Sequence, residues 1–178
     1  MSTSVKAESA RSDRLVAIGQ IARPHGVQGE LRVRVYNPES GLLGRGRTVT
    51  IQPAEGPARL AKVARVRETE GALLVTLDGV ADRTAAEAIR GAELSIKRSE
   101  FPDLPDGEFY ACDVEGARAL LNGELIGTVE RLQSYPTCDV LVITKTTGEE
   151  VELPLVDGLV ERVDGDAGVV HITSLDTL

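Results

Sequence analysis

The sequence predicts an all-β protein: two small β-barrel domains joined by a short proline-containing linker, with one short helix in the first domain. Three observations carry this expectation. Leu31, Val33 and Val35 alternate with Arg32, Arg34 and Tyr36, the period of two that marks a half-buried strand. Short apolar segments recur along the 178 residues with glycine-, proline- and asparagine-containing turns between them, too closely spaced for crossover helices. Between the halves lies a cluster of two prolines, a glycine and three acids, Ser99 to Gly107, the composition of a partly stiff linker. The expected organisation is a disordered polar leader over residues 1–13, a first barrel over 14–98, a linker over 99–107 and a second barrel over 108–178.

In the first half the ordered chain is expected to begin near Leu15, with a strand ending at Ile21 and a turn-rich stretch from Arg23 to Glu30. Strands are expected at Thr48–Gln52, Leu60–Arg67 and Leu73–Leu77, separated by Glu55-Gly56-Pro57 and Glu70-Gly71. Residues 82–91 read as a helix because alanine is a strong helix former. Asp82 can cap it, Thr84 and Glu87 have capping-box spacing, and Gly91 suits a left-handed stop. Two turns are too short to stand alone in water, so this helix must pack on the barrel. Glu93–Lys97 closes the first domain.

The second half contains three hairpin signals. Asn122-Gly123 stands between Ala119-Leu120-Leu121 and Leu125-Ile126, the sequence form of a two-residue turn. Val140–Thr144 and Glu150–Leu155 flank Thr146-Thr147-Gly148, and Leu159–Val163 and Val169–Thr173 flank residues 164–168. Closing such strands into a barrel removes exposed edges.

Composition narrows the function classes. A hydrophobic content of 42% excludes wholesale disorder, and aromatics at 3% leave Val, Leu, Ile and Ala to build the cores. No apolar run is long enough to cross a bilayer as a helix, and the polar start carries no secretory signal. Cys112 and Cys138 form neither a disulfide framework nor a zinc spacing, which points to a reducing cytoplasm and to a structural role for both thiols. The net charge of −8 is divided unevenly: residues 15–100 hold 13 basic against ten acidic side chains, and residues 101–178 hold four against 16. Such a split suits two different partners, since an acidic domain repels nucleic acid and attracts a basic protein. Acidity that serves solubility alone is the alternative reading.

Candidate chemistry is sparse. Of the two histidines, His171 lies on the polar phase of its strand, where a solvated role is expected. His25 with Glu30 could form a catalytic pair, but no Ser or Cys sits nearby in a nucleophile elbow. Gly26 and Gly29 lack the Gly-Lys-Ser/Thr of a phosphate loop. A non-enzymatic protein without metal or cofactor is therefore expected. Arg23, His25, Arg32 and Arg34 are the candidate RNA contacts, because arginine donors meet phosphate and strand phase puts Arg32 and Arg34 on one face. Phe109-Tyr110 is the candidate protein contact. Read as strand neighbours, the two rings point to opposite faces, so that one is exposed or covers the domain junction.

These residues also carry a resemblance. Gly19 to Glu30, Gly-Gln-Ile-Ala-Arg-Pro-His-Gly-Val-Gln-Gly-Glu, looks like the opening signature of the bacterial ribosome maturation factor RimM family. The helix from Asp82 to Gly91 is similar to that family's arginine-then-alanine-glutamate stretch. Glu108-Phe109-Tyr110 with Asp113-Val114-Glu115-Gly116 resembles the entry to its C-terminal PRC-barrel. Gly127, Asp139-Val140-Leu141-Val142 and Leu153-Pro154 continue the match, while Phe109 and Leu155 depart from it, standing where a tyrosine and an aromatic are common. The resemblance spans residues 14 to 175. It implies a translation-factor-like barrel followed by a PRC-barrel. It further implies binding to the free 30S subunit and to small-subunit ribosomal protein nineteen, with assistance to head maturation and 16S rRNA processing, by a cytoplasmic monomer. A generic PRC-barrel adaptor and an RNA-acting enzyme using His25 and Glu30 are the rival expectations.

Overall fold

A computed structural model describes residues 13–105, 108–165 and 167–175. The expected leader, apart from Asp13, lies outside the described residues, as do Asp106 and Gly107 of the expected linker. The chain forms two compact units divided after Phe101.

The first unit is a closed antiparallel barrel of six strands in the order β1-β2-β5-β4-β3-β6. Its strands are β1 (Leu15–His25), β2 (Glu30–Val35), β3 (Thr48–Gln52), β4 (Arg59–Thr69), β5 (Ala72–Leu77) and β6 (Glu93–Lys97). Closure comes from β1, which pairs with β2 along one edge and β6 along the other. Alternation drives the inward face: Ile21, Leu31, Val33, Val49, Ile51 and Leu94 are fully buried in one core. Each such side chain withdraws enough apolar surface to stabilise the fold by roughly 1.5–3 kcal/mol. Phe101 packs against this core and Arg98 lies over its ring, 5.2 Å from the centroid, so the first residues of the expected linker belong to the first unit.

Three local features differ from the sequence reading. Strand β1 does not stop at Ile21 but continues to His25, which leaves a turn of only Gly26 to Gly29. The β1–β2 register slips between Ile21 and Arg23, a bulge at Ala22. Helix α1 (Arg83–Glu87) is capped by Asp82, whose Oδ1 accepts from the Ala85 amide at 2.8 Å; Thr84 lies inside the helix, so the capping-box alternative does not form. Helix α1 is followed by a turn ending at Gly91, whose amide donates to the Ile21 carbonyl at 2.8 Å, while the Ile21 amide donates to Ala92 at 2.9 Å. This α1 segment is therefore bonded to β1.

The second unit is a six-stranded sheet in the order β10-β9-β8-β7-β12-β11. It comprises helix α2 (Ala111–Val114), β7 (Arg118–Leu121), β8 (Glu124–Ser134), β9 (Asp139–Lys145), β10 (Glu150–Pro154), β11 (Val160–Asp164) and β12 (Val169–Ile172). The three expected hairpins are present as β7–β8, β9–β10 and β11–β12. Asn122 and Gly123 both have positive φ, 49° and 88°, as the two-residue turn requires. Asp166, in the β11–β12 turn, lies outside the described residues. A parallel pairing of β12 with β7 joins the first and last strands of the unit. Gly127 lets β9 approach β8, since a Cβ there would stand 2.2 Å from the Thr144 carbonyl oxygen.

Two braces hold the β1–β2 turn. Gly29 is buried at φ +72°, and a Cβ on it would lie 2.2 Å from the Val80 carbonyl oxygen. Glu30 takes Arg67 in a two-point pair, Nε to Oε1 at 2.8 Å and Nη2 to Oε2 at 2.7 Å. Because β5 lies between β2 and β4, this pair straps three strands together. The Arg67 hydrogen bond, with the charges of Arg67, His25 and Arg65, holds the Glu30 carboxyl below its ordinary value of 4.5, against a smaller opposing effect of burial.

Three outcomes follow from the geometry of this turn. Gly29→Ala combines a left-handed backbone with collision against a carbonyl, so it should lower unfolding free energy by about 3 kcal/mol or more in urea titration. Gly26→Ala, where φ is +66° but the space is open, should cost about 1 kcal/mol. A carboxyl with a depressed folded-state pKa contributes stability above its unfolded pKa and loses it as pH falls through the folded value. Thermal midpoints of Glu30→Gln should therefore lie below those of the parent at pH 7, and the gap should close as pH drops well below 4.5.

Candidate nucleic-acid and protein interfaces

At the turn end of the first unit, β1, β2, β4 and the α1 segment bring basic side chains together. The bulge at Ala22 decides where Arg23 points. Ile21 faces the core, and uninterrupted alternation would send Arg23 inward with it; the extra residue turns Arg23 out, opposite Arg32 on β2. His25 is paired with Glu30 across the same ladder, its Nε2 3.9 Å from Glu30 Oε2.

Two open grooves flank the turn. One, of about 650 Å³, is lined by His25, Gly26, Val27, Gln28, Glu30, Arg65, Arg67 and Thr76. The other, of about 520 Å³, is lined by Arg23, Pro24, His25, Gly26, Arg83, Glu87 and Arg90. In the first, Glu30 engages Arg67 with both oxygens, and the exposed Arg65 forms no ion pair among the described residues. In the second, three arginines meet one carboxylate. Arg83 is held in place by Glu87 at 3.5 Å and by the Gly26 carbonyl at 3.5 Å. Arg23 and Arg90 are exposed and form no ion pair among the described residues.

The sequence candidates thus divide. Arg23 and His25 reach the grooves. Arg32 is half-buried and donates to the Glu70 carbonyl at 2.9 Å, and Arg34 is exposed further along β2; neither lines a groove. Arg83 and Arg90 were not among the expected contacts. Their separation of seven residues, two helical turns, was the available signal. His25 and Glu30 do meet, but a carboxylate committed on both oxygens to Arg67, with a lowered pKa, is a strut and a weak proton acceptor.

In the second unit Phe109 and Tyr110 precede α2, and Tyr110 is its N-cap residue. The strand expected there is absent, so the opposite-face argument does not apply; both rings are half-buried. Phe109 packs against the second core, and the Tyr110 hydroxyl donates to the Pro102 carbonyl at 3.0 Å. Acidic side chains surround this unit: Glu108, Glu115, Glu124, Glu130, Glu152 and Glu161 are all exposed. His171, expected to be solvated, is half-buried with Nε2 3.1 Å from Arg162 Nη2. Cys112 and Cys138 are half-buried thiols, and Cys112 donates to Asp113 Oδ1 at 3.9 Å. Among the described residues no helix is long and apolar enough to cross a membrane.

Comparison with known proteins matches both units. Residues 16–101 match the RimM N-terminal domain and residues 111–176 the RimM PRC barrel domain. The chain is 48% identical over 166 residues to the ribosome maturation factor RimM of Sorangium cellulosum, covering 93% of this chain and 98% of that protein. It is 37% identical to the RimM of Kineococcus radiotolerans, over 88% of this chain and 89% of the relative. Among solved structures it is similar to a putative 16S ribosomal RNA processing protein RimM from Pseudomonas aeruginosa, at 30% identity and a TM-score of 0.47, over 90% of this chain and 98% of that one. With both family domains matched in order across most of its length, the chain belongs to the RimM family of ribosome maturation factors.

Proposed function

We propose that this protein is a non-enzymatic, cytoplasmic ribosome maturation factor. It binds the free 30S subunit and small-subunit ribosomal protein nineteen, and assists maturation of the head and processing of 16S rRNA. Family membership supports the general role, and one observation supports the division of labour: five arginines line the two grooves at the turn end of the first unit, while the second unit carries four basic residues against 16 acidic ones over residues 101–178. RNA presents phosphate, which the first unit can meet with Arg23 and His25 in the grooves. A basic ribosomal protein is drawn to the acidic unit, where charge sets encounter rate and register.

Phe109 and Tyr110 supply apolar contact to that protein. Half-buried rings whose positions are fixed, one by the core and one by the Pro102 carbonyl, lose little freedom on binding, which is what an anchoring aromatic needs. Tyr110 is the better test, because Phe109 also supports the core.

Sedimentation through sucrose gradients checks this reading. The full chain should travel with free 30S subunits and be absent from translating ribosomes; equal recovery in every ribosomal fraction would refute it. Tyr110→Ala should weaken binding to purified ribosomal protein nineteen by about tenfold, the 1–2 kcal/mol scale of a truncated anchor, with the thermal midpoint little changed. Unchanged affinity would remove Tyr110 from the interface.

A further inference from the structure

We infer that the groove between the end of β1 and the α1 segment, walled by Arg23, Arg83 and Arg90, is a binding site for the phosphodiester backbone of RNA. The inference rests on the ribosomal reading above and deepens it, by assigning the phosphate contacts to particular side chains.

The first argument is electrostatic. Three guanidinium groups and the exposed His25 ring surround one open groove of about 520 Å³ that contains a single carboxylate, Glu87. That carboxylate pairs with Arg83, leaving Arg23 and Arg90 uncompensated by any described residue.

Geometry supplies the second argument. Arg83 is positioned before any ligand arrives, by Glu87 and by the Gly26 carbonyl. Arg23 is presented by a bulge, the device that re-aims a side chain out of its strand's alternation. Preorganised guanidinium forks match phosphate oxygens in two-point hydrogen bonds.

Extent supplies the third. His25 and Gly26 are shared walls of this groove and of the neighbouring one that contains Arg65 and Arg67. The basic track therefore runs around both sides of the turn, longer than one isolated phosphate would need, as suits a polymer whose charges repeat along a backbone. Arg32, tied to the Glu70 carbonyl, and Arg34, outside both grooves, are excluded from it.

The test uses the full-length chain, with a fluorescein-labelled RNA hairpin of about 20 nucleotides as probe, alongside 30S sedimentation. The triple variant Arg23→Gln, Arg83→Gln, Arg90→Gln should bind the hairpin at least tenfold more weakly in low salt. The slope of log affinity against log salt should flatten by about 2 to 3, the counterions released by three phosphate contacts. The double variant Arg32→Gln, Arg34→Gln should stay within about twofold of the parent, and thermal midpoints verify that each variant is folded. The triple set is built from exposed side chains; should it misfold, the single variants Arg23→Gln and Arg90→Gln, each expected to flatten the slope by about 1, decide in its place. The inference is overturned if the parent fails to bind the hairpin, if the triple variant keeps the parent's affinity and slope, or if the Arg32/Arg34 variant loses as much. It is also overturned if the triple variant loses ribosomal protein nineteen while keeping RNA, because the groove would then be a protein site. Failure of the parent to sediment with 30S subunits would instead refute the ribosomal role, and the hairpin titration would still decide the groove.

Discussion

Strand β1 is hydrogen-bonded along both edges, to β2 on one side and β6 on the other, and that double pairing is what converts six short strands into a closed barrel. Closure imposes the remaining geometry of the first unit. It removes the free sheet edges that an aromatic-poor chain of Val, Leu and Ile would otherwise expose, and it lets those small side chains fill a narrow interior. It also brings the α1 segment back onto β1 through the Ile21, Gly91 and Ala92 backbone bonds. Without that return, Arg83 and Arg90 would be nowhere near Arg23.

The turn of Gly26 to Gly29 joins the barrel to the proposed phosphate groove. Gly29 is pressed so closely on the Val80 carbonyl that no side chain fits, and Glu30 is tied to Arg67 across β5. A turn fixed at both its last residue and the one beyond it is a rigid platform, and a rigid platform is required if neighbouring arginines are to meet phosphate without first paying for their own ordering. The residues that looked most like chemistry, His25 and Glu30, are part of this scaffolding. Their charges matter through the groove walls they set.

The two units divide the electrostatics of the protein. Concentrating arginine at one end of the first barrel and carboxylates over the second unit would be a poor design for a single polar ligand, because the two fields oppose each other. It fits the proposed role, in which RNA and a cationic protein are each drawn to one surface and repelled from the other. A catalytic reading has less support: Glu30, its general base, is already neutralised.

Local chemistry made much of this legible in the sequence. Period-two alternation located β2, because an inward apolar face and an outward polar face leave that signature where a strand covers a core on one side only. Asn122-Gly123 marked its hairpin because the turn needs two residues at positive φ. The charge split is a property of composition and needed no coordinates. Tertiary structure decided the rest, since register and long-range pairing depend on contacts between distant residues. The bulge at Ala22 cannot be seen in one strand alone, as it exists only relative to β2; yet it reverses the direction of Arg23. The parallel pairing of β7 with β12 joins segments about fifty residues apart. The helical end at Tyr110 replaced an expected strand because two aromatics in succession carry no periodicity from which a helix could be told. What the chain itself determined was which elements form and where charge lies; only folding determined which arginines share a groove, because that depends on how the barrel closes.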